Sequence, residues 1–284
     1  MDIVIAGCGD LGIETGLRFV AEGHRVVGLR RRGELVPLPL VGRSVDLRHE
    51  VAPIDPGTDV VVVALAAGSR DVDEYRATYV DGLRNVLDGI DASGSDARVI
   101  VVSSTAVYDV DDGSTVTEAT PAVAATPTAG VLLEAESLLR ERAPGALLVR
   151  LSGVYGPGRE RLIDQVRSGS ARLAPGVSPH TNRIHRDDAA AALVHLATLD
   201  EPAPTYLVTD DEPARLDDVY AFLAAELGAP EPPRDEDAEA SGRQGAGNKR
   251  LSNALLRSTG WTPRFPSFRE GYRAVIAGEG TRHP

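Results

Sequence analysis

Asp2-Ile3-Val4-Ile5-Ala6-Gly7-Cys8-Gly9-Asp10-Leu11-Gly12 is the stretch whose reading decides the fold. Ile3, Val4 and Ile5 form a short apolar run suited to a buried strand. Gly7, Gly9 and Gly12 follow with G-x-G-x-x-G spacing, and apolar residues then recur three and four apart as far as Val20, the period of a helix. Strand, glycine turn and helix N-terminus in this order make a dinucleotide phosphate site. The first glycine permits the tight turn, the second lets backbone approach the pyrophosphate, and the third lets helix pack on strand. Uncapped N–H groups and the positive end of the helix dipole face the phosphates. A bare glycine spacing is common, but here a second apolar strand, His24-Arg25-Val26-Val27-Gly28-Leu29, follows on schedule. The expected cofactor contacts at this turn are Gly7, Gly9, Asp10, Leu11 and Gly12.

Strand and helix signals alternate outward from there. Ser44-Val45-Asp46 reads as a third strand. Within Asp59-Val60-Val61-Val62-Val63-Ala64, the residues after Asp59 are an unbroken apolar run fit for a parallel strand covered on both faces. A long helix is expected over 71–90, with Asp71 or Asp73 near its cap and Ser93-Gly94 past its end. A strand follows at 98–103, a helix at 131–142 and a strand at 146–151. This pattern predicts an α/β protein, a Rossmann-type doubly wound parallel sheet with a smaller C-terminal α/β substrate lobe. The expected division is a cofactor-binding domain over 1–155 and a lobe over 156–284 that is interleaved with the sheet. In the lobe, helices are expected at 159–168, 187–199 (capped by Asp187 or Asp188), 216–227, 253–259 and 268–277, with a short strand at 206–208. Trp261, Phe265 and Phe268 read as core anchors. Residues 230–247 carry almost no large apolar side chain and read as a mobile loop.

Composition narrows the function classes. The formal net charge over 284 residues is −12 and the basic residues are scattered, which argues against a nucleic-acid surface. Lys249 is the only lysine. One cysteine, Cys8, excludes an intramolecular disulfide and reads as a small packing residue in the turn. His24, His49, His180 and His195 show no metal-ligand spacing, so no metal is expected. The first residues enter a core strand directly, and the longest apolar stretches, 60–67 and 189–199, are too short or interrupted to span a bilayer. A soluble, cytoplasmic protein without nucleic-acid or membrane partners is the expectation.

The residues after the second strand bear on which dinucleotide binds. A free 2′-hydroxyl usually meets Asp or Glu there, and a 2′-phosphate meets Arg. This chain has Leu29-Arg30-Arg31-Arg32, so NADP(H) is expected over NAD(H), with Arg30 and Arg31 as contacts. Glu34 nearby keeps NAD(H) open. Asp46-Leu47 ends the third strand and is expected beside the adenine, with Asp46 facing its amino group; the alternative is that Asp46 caps the next turn.

With these segments in order, the chain resembles the extended short-chain dehydrogenase/reductases of the NAD-dependent epimerase/dehydratase superfamily. Further segments carrying the likeness are Ala64-Leu65-Ala66-Ala67, Val102-Ser103-Ser104-Thr105-Ala106-Val107-Tyr108, residues 148–159 and Asn182-Arg183-Ile184-His185-Arg186-Asp187-Asp188. The G-x-G-x-x-G spacing and the closing Asn248-Lys249-Arg250-Leu251-Ser252-Asn253 look like the atypical YeeZ-like group. The resemblance implies that Ala64, Ala66 and Ser103 flank the cofactor. It also implies a homodimer through the helices over 71–90 and 131–142. The superfamily's usual Tyr-x-x-x-Lys pair aligns with Thr128 and Leu132, with a helix glutamate at Glu136, and its asparagine position with Tyr79. The serine position survives at Ser104. A threonine hydroxyl is too weak an acid to replace an activated phenol, so the usual tyrosine mechanism is absent. Ser104 and Tyr155 are the expected catalytic residues, and Thr105, Tyr108, Arg183 and His185 the expected substrate contacts. The bland readings are that Tyr155 braces its loop and that His185 is a structural hydrogen-bonder. The expected activity is an NADP(H)-dependent oxidoreductase on a small polar or carbonyl substrate. The alternatives are a non-catalytic NADP(H)-binding or sensor module and, by fold analogy, a sugar-nucleotide epimerase or dehydratase.

Overall fold

The computed structural model describes residues 1–235 and 247–284. In chain order its elements are β1 (Asp2–Ala6), α1 (Asp10–Ala21), β2 (Arg25–Arg30), β3 (Val41–Ser44), β4 (Val60–Val63), α2 (Val72–Tyr75), α3 (Gly82–Ser93), β5 (Arg98–Ser104), β6 (Thr115–Val116), α4 (Pro127–Arg142), β7 (Leu147–Leu151) and β8 (Gly153–Tyr155). Then come α5 (Arg161–Arg167), β9 (His180–Thr181), β10 (Arg183–His185), α6 (Arg186–Thr198), β11 (Thr205–Val208), β12 (Ala214–Arg215), α7 (Leu216–Leu227), β13 (Arg250–Leu251), α8 (Ala254–Ser258) and α9 (Phe268–Ile276). Seven strands form one sheet in the order β11-β7-β5-β4-β1-β2-β3, every neighbouring pair parallel. This is the doubly wound sheet expected from the alternation of signals.

Side-chain alternation along the strands builds two cores. Ile3, Ile5, Val60, Val62, Leu147 and Val149 face one side, where Ile13 and Phe19 of α1 and Leu193 and Leu196 of α6 cover them. Val4, Ala6, Val61, Val63, Val99 and Leu148 face the other, under Leu83, Val86 and Leu87 of α3 and Val131 and Leu139 of α4. A third cluster, with Ile163, Val219, Leu223, Phe268 and Tyr272, holds the smaller lobe. The second half of the chain returns to the main sheet: it supplies the edge strand β11 and the covering helix α6, and Trp261 joins the α1-side core.

Several local expectations move. The third strand lies at Val41–Ser44, one step before Val45 and Asp46, which therefore sit at the sheet's C-terminal edge. Helix α4 begins at Pro127, because the Thr126 hydroxyl accepts from the Ala129 N–H and proline occupies the first turn. That turn has no apolar periodicity to reveal it. Asp71 caps its helix as expected, accepting from the N–H groups of Asp73 and Glu74. Between α2 and α3 the helix widens into a π-helical stretch, Arg76–Asp81. At α6 the capping group is the His185 ring, whose Nδ1 accepts from the Asp187 N–H at 3.2 Å. Asp188 is instead buried and accepts from the Arg264 and Phe265 N–H groups at 2.7 and 2.9 Å. Most of the predicted 230–247 loop lies outside the described residues. Within its first part, Arg234 donates to the Ala174 and Gly176 carbonyls and pairs with Asp217.

Candidate cofactor and substrate cleft

The glycine turn is shaped by contact on one side and left open on the other. Gly7 has φ +85°, and a Cβ there would lie 2.6 Å from the Ala64 carbonyl oxygen. A Cβ on Gly12 would stand 2.9 Å from the Gly7 carbonyl oxygen and 3.0 Å from the Ile5 side chain, so helix α1 sits close on β1. A Cβ on Gly9 would meet nothing within 4 Å. Gly9 is the residue before α1, it offers no capping side chain, and the first helical bond runs from Ile13 N–H to the Gly9 carbonyl. The first-turn N–H groups therefore face a cavity rather than a protein cap. Cys8 turns its sulfur toward Gly28 of β2, and burial pushes its thiol up to about 12, as suits a packing residue.

A cavity of about 770 Å³ runs from this turn along the sheet edge. Every residue expected to contact cofactor lines it, from Gly7 through Arg30, Arg31, Asp46, Leu47, Ala64 and Ala66 to Ser103. Its end beyond β2 is cationic, walled by Arg30, Arg31, Arg32 and Arg48. Arg30 Nη1 donates to the Pro284 carbonyl at 2.8 Å. Asp46 is not a bare carboxylate. Arg48 grips it through Nε and Nη2 at 2.9 and 2.7 Å, which holds its carboxyl at about 2. Asp10, at the helix mouth, is also fully engaged: Arg159 Nε and Arg186 Nη1 donate to it at 2.9 and 2.7 Å, and the His283 N–H at 3.2 Å. Burial alone would raise its pKa, but these donors hold it below the ordinary carboxylate range.

A second cavity, of about 610 Å³, opens beside the first, and the residues that line both include Leu65, Tyr79, Ser103, Ser104, Val154 and Arg159. Ser104 stands at the junction. Its Oγ accepts from the Ala106 N–H at 3.2 Å, so its proton remains to be donated. Thr105 lines the second cavity, but its hydroxyl donates to the Leu151 carbonyl at 3.3 Å. Thr128 and Leu132 also line it, where the alignment places the missing tyrosine and lysine. Arg183 is a wall residue as expected; it donates to Thr181 Oγ1 at 2.6 Å and lies over the Phe268 ring. Tyr79 comes from the π-helical stretch and packs against Tyr75 with ring centroids 5.1 Å apart. Burial raises its phenol pKa, and its oxygen accepts from the Ala67 N–H at 3.4 Å. Helical spacing alone marks Tyr79 as a packing residue. The π-turn is what brings it to the cleft.

Tyr108 and His185 line neither cavity, while Tyr155 and Ser103 line the cleft with their hydroxyls turned elsewhere. The Tyr155 hydroxyl has no hydrogen-bond partner among the described residues and is pressed against Gly271 of α9, where an added Cβ would collide with it. Its ring packs on Tyr272 at 4.5 Å, and burial raises its pKa far from any catalytic range. Tyr155 braces the lobe. Tyr108 is fully buried, and its oxygen accepts from Arg150 Nη1 at 2.5 Å. Ser103 touches both cavities, yet its hydroxyl donates to Glu136 at 2.7 Å and so belongs to the same buried network. His185 is 2 % exposed, caps α6 and stacks on Phe265 with centroids 4.2 Å apart, so it is not a substrate contact.

Burial, opposed in part by Asp187 and reinforced by Arg186 and Arg264, lowers the His185 pKa to about 4. The unfolded ring, near 6.5, binds its proton first as pH falls, so stability is expected to drop by about 2 kcal/mol between pH 7 and pH 5 from this group. His185→Asn keeps a capping oxygen and cannot titrate. Urea unfolding at the two pH values should show a correspondingly flatter profile for the variant, and parallel profiles would contradict the assignment.

Comparison with known proteins agrees with this geometry. Residues 3–208 match the model of the NAD dependent epimerase/dehydratase family. The chain belongs to that family. It is 30% identical to the 3-diazoavenalumate denitrifying reductase of Streptomyces sp, over 95% of this chain and 99% of that protein. A structure from Methylobacillus flagellatus assigned to the NAD-dependent epimerase/dehydratases is 34% identical, with TM-score 0.78 and 98% of each chain covered. MoeE5, solved in complex with UDP-glucuronic acid and NAD, shares the fold at 22% identity, with TM-score 0.78 and 96% of each chain covered. No helix among the described residues is long and apolar enough to cross a membrane.

Proposed function

We propose that the protein is an NADP(H)-preferring oxidoreductase that acts on a small polar, carbonyl-bearing substrate. The carrying observation is the meeting of the two cavities at Ser104, one floored by an open glycine turn and the other lined by Thr128 and Leu132 where the family's tyrosine and lysine align. The residues present fit a dinucleotide: the Gly9 face lacks any atom that phosphate would displace, and the α1 N-terminus is uncapped. Arg30, Arg31 and Arg32 suit a 2′-phosphate, since Asp46 is already neutralised by Arg48. When bound in reduced form, the nicotinamide supplies a hydride. Ser104 donates a hydrogen bond to the substrate oxygen and orients the carbonyl beside the junction. Arg183 and Arg159 give the substrate cavity positive charge, which favours an anionic or carbonyl-rich molecule. The likeness to a reductase along nearly the full chain supports this reading over a sugar-nucleotide epimerase, because Thr128 has no acidity to exchange a sugar hydroxyl proton.

Two measurements test it. Arg30→Ala with Arg31→Ala is expected to weaken NADPH binding by about 10- to 100-fold while leaving NADH binding within about 3-fold, as removal of phosphate-binding guanidinium groups requires. Equal losses for both nucleotides would refute the 2′-phosphate assignment. Ser104→Ala is expected to lower the rate of NADPH oxidation against an aldehyde and ketone panel by about 10²-fold, the size of effect seen for one oxyanion donor. Tight NADPH binding without turnover on any member of the panel would favour the non-catalytic module.

A further inference from the structure

Lys249 is the only lysine among 30 basic residues, and it lines the substrate cavity. It is 3% exposed, and its Nζ donates to the Tyr108 carbonyl at 2.5 Å. No carboxylate forms an ion pair with it among the described residues. An ammonium has three donors, so one carbonyl leaves the others for a ligand.

The segment that carries it is fixed on several sides. Strand β13 pairs parallel with β6, Asn248 accepts from the His180 N–H, and Asn182 donates to the Lys249 carbonyl while accepting from the Leu251 N–H. These bonds hold the lysine backbone against the same wall that presents Asn182 and Arg183. Ser104, Thr128 and Leu132 line the same cavity. A cation held this way needs no lysine if charge alone is wanted; arginine serves that purpose everywhere else in the chain, but arginine does not give up its proton.

We propose that Lys249 is the proton donor of the reaction, taking the part that Thr128 cannot. This rests on the oxidoreductase reading. As the carbonyl carbon accepts hydride from a reduced nicotinamide, the C=O π pair moves onto oxygen. An Nζ–H bond breaks, an O–H bond forms, and Lys249 is left as a neutral amine that takes a proton back from water. Burial lowers the lysine pKa, and nearby Asp109 opposes that shift. The other titratable or charged groups lining this cavity are Arg70, Arg159, Arg161, Arg183, His180 and the tyrosines Tyr75, Tyr79, Tyr155 and Tyr272.

The unique lysine makes a direct test practical. Wild-type protein is pulse-acetylated with limiting acetic anhydride across a pH series, and the Lys249 peptide is quantified by mass spectrometry against the Met1 amine. Acetylation is expected to titrate below the ordinary lysine value of about 10.4, and saturating NADPH with an aldehyde competitor is expected to protect the site. An unreactive lysine, or one that titrates at the ordinary value, would overturn the proposal. In parallel, Lys249→Arg keeps the cation and a donor to the Tyr108 carbonyl, so it separates structure from proton transfer, which Lys249→Met would confound with the loss of that hydrogen bond. Lys249→Arg is expected to keep its melting temperature and its NADPH affinity while kcat falls by about 10²- to 10⁴-fold. Wild-type kcat should decline on the alkaline side at the pH where acetylation titrates. A Lys249→Arg enzyme within about 3-fold of wild type would also overturn the proposal. A wild-type protein that binds NADPH but reduces no carbonyl defeats the oxidoreductase reading itself, and the donor role with it. A failed acetylation titration in an active wild-type enzyme defeats the donor role alone.

Discussion

Arg150→Met is expected to destabilise the fold by about 3–5 kcal/mol, the cost of leaving one member of a buried ion pair without its partner. Arg150 is on β7 and 6% exposed, and Glu136 is on α4 and 5% exposed. Their contact is bidentate, Nε to Oε1 at 3.0 Å and Nη2 to Oε2 at 2.5 Å, with Ser103 of β5 donating to the same carboxylate and Tyr108 accepting from the guanidinium. The network thus ties two central strands to the helix that carries Thr128 and Leu132 into the cleft. With the guanidinium gone, the carboxylate remains among the side chains of α4 and the sheet, where, among the described residues, the Ser103 hydroxyl still donates to it. A double variant, Glu136→Leu with Arg150→Met, removes both charges and should recover most of the loss, because desolvating a pair roughly offsets its attraction. Urea unfolding of the two single variants and the double variant forms the cycle that separates these terms. A single-variant loss under about 1 kcal/mol would mean that water or a rearranged partner reaches the site, and the buried-network description would be wrong.

Six of the seven strands of the central sheet were readable within residues 2–151 because their information is local. Val60–Val63 are buried on both faces and carry no alternation to confuse, and the glycine spacing encodes backbone geometry that no larger residue can adopt at Gly7. The wall of the larger cavity was readable for the same reason: in a doubly wound sheet the loop after each strand falls at one edge, so Ala64, Asp46 and Ser104 arrive together once the strands are known. What failed was the direction of individual side chains. Tyr155 follows a strand that ends at the cleft, yet its hydroxyl points to Gly271, a contact made across 116 residues that no local pattern carries. Tyr108 follows Ser104 by four residues and is turned inward by Arg150, which sequence reading had no reason to pair with it. His185 looked like a titratable group on a cleft segment, but the chain uses its ring where an aspartate cap was expected. Lys249 is the converse case. Its uniqueness was plain in the composition, but its approach to the cleft depends on β13 pairing with β6, strands of two residues each that have no periodic signal.

Exchanging the two glycines of the turn for alanine should separate folding from ligand binding, and the two variants are expected to fail in opposite ways. Gly9 has φ −91° and ψ −155°, which alanine adopts without strain, and the added methyl would touch no protein atom. Gly9→Ala should therefore unfold within about 0.5 kcal/mol of wild type, as for a surface substitution away from special features. Its methyl instead enters the space in front of the uncapped N–H groups of α1. Two charge-assisted hydrogen bonds to phosphate at about 1.5 kcal/mol each amount to a roughly 100-fold loss of dinucleotide affinity. Gly7→Ala is different. At φ +85° the new side chain is strained, and its Cβ would lie 2.6 Å from the Ala64 carbonyl oxygen and 2.8 Å from that carbonyl carbon. Relief requires β1 and β4 to part at the centre of the sheet, so a stability loss of about 2–4 kcal/mol is expected from strain and overpacking together. Melting curves with and without NADPH read both outcomes. Gly9→Ala should melt like wild type without nucleotide and lose most of the stabilisation that nucleotide gives, whereas Gly7→Ala should melt early under either condition. If Gly9→Ala bound NADPH as tightly as wild type, the open face of the turn would not be where phosphate docks. The cleft would then have to hold its ligand from the arginine end alone.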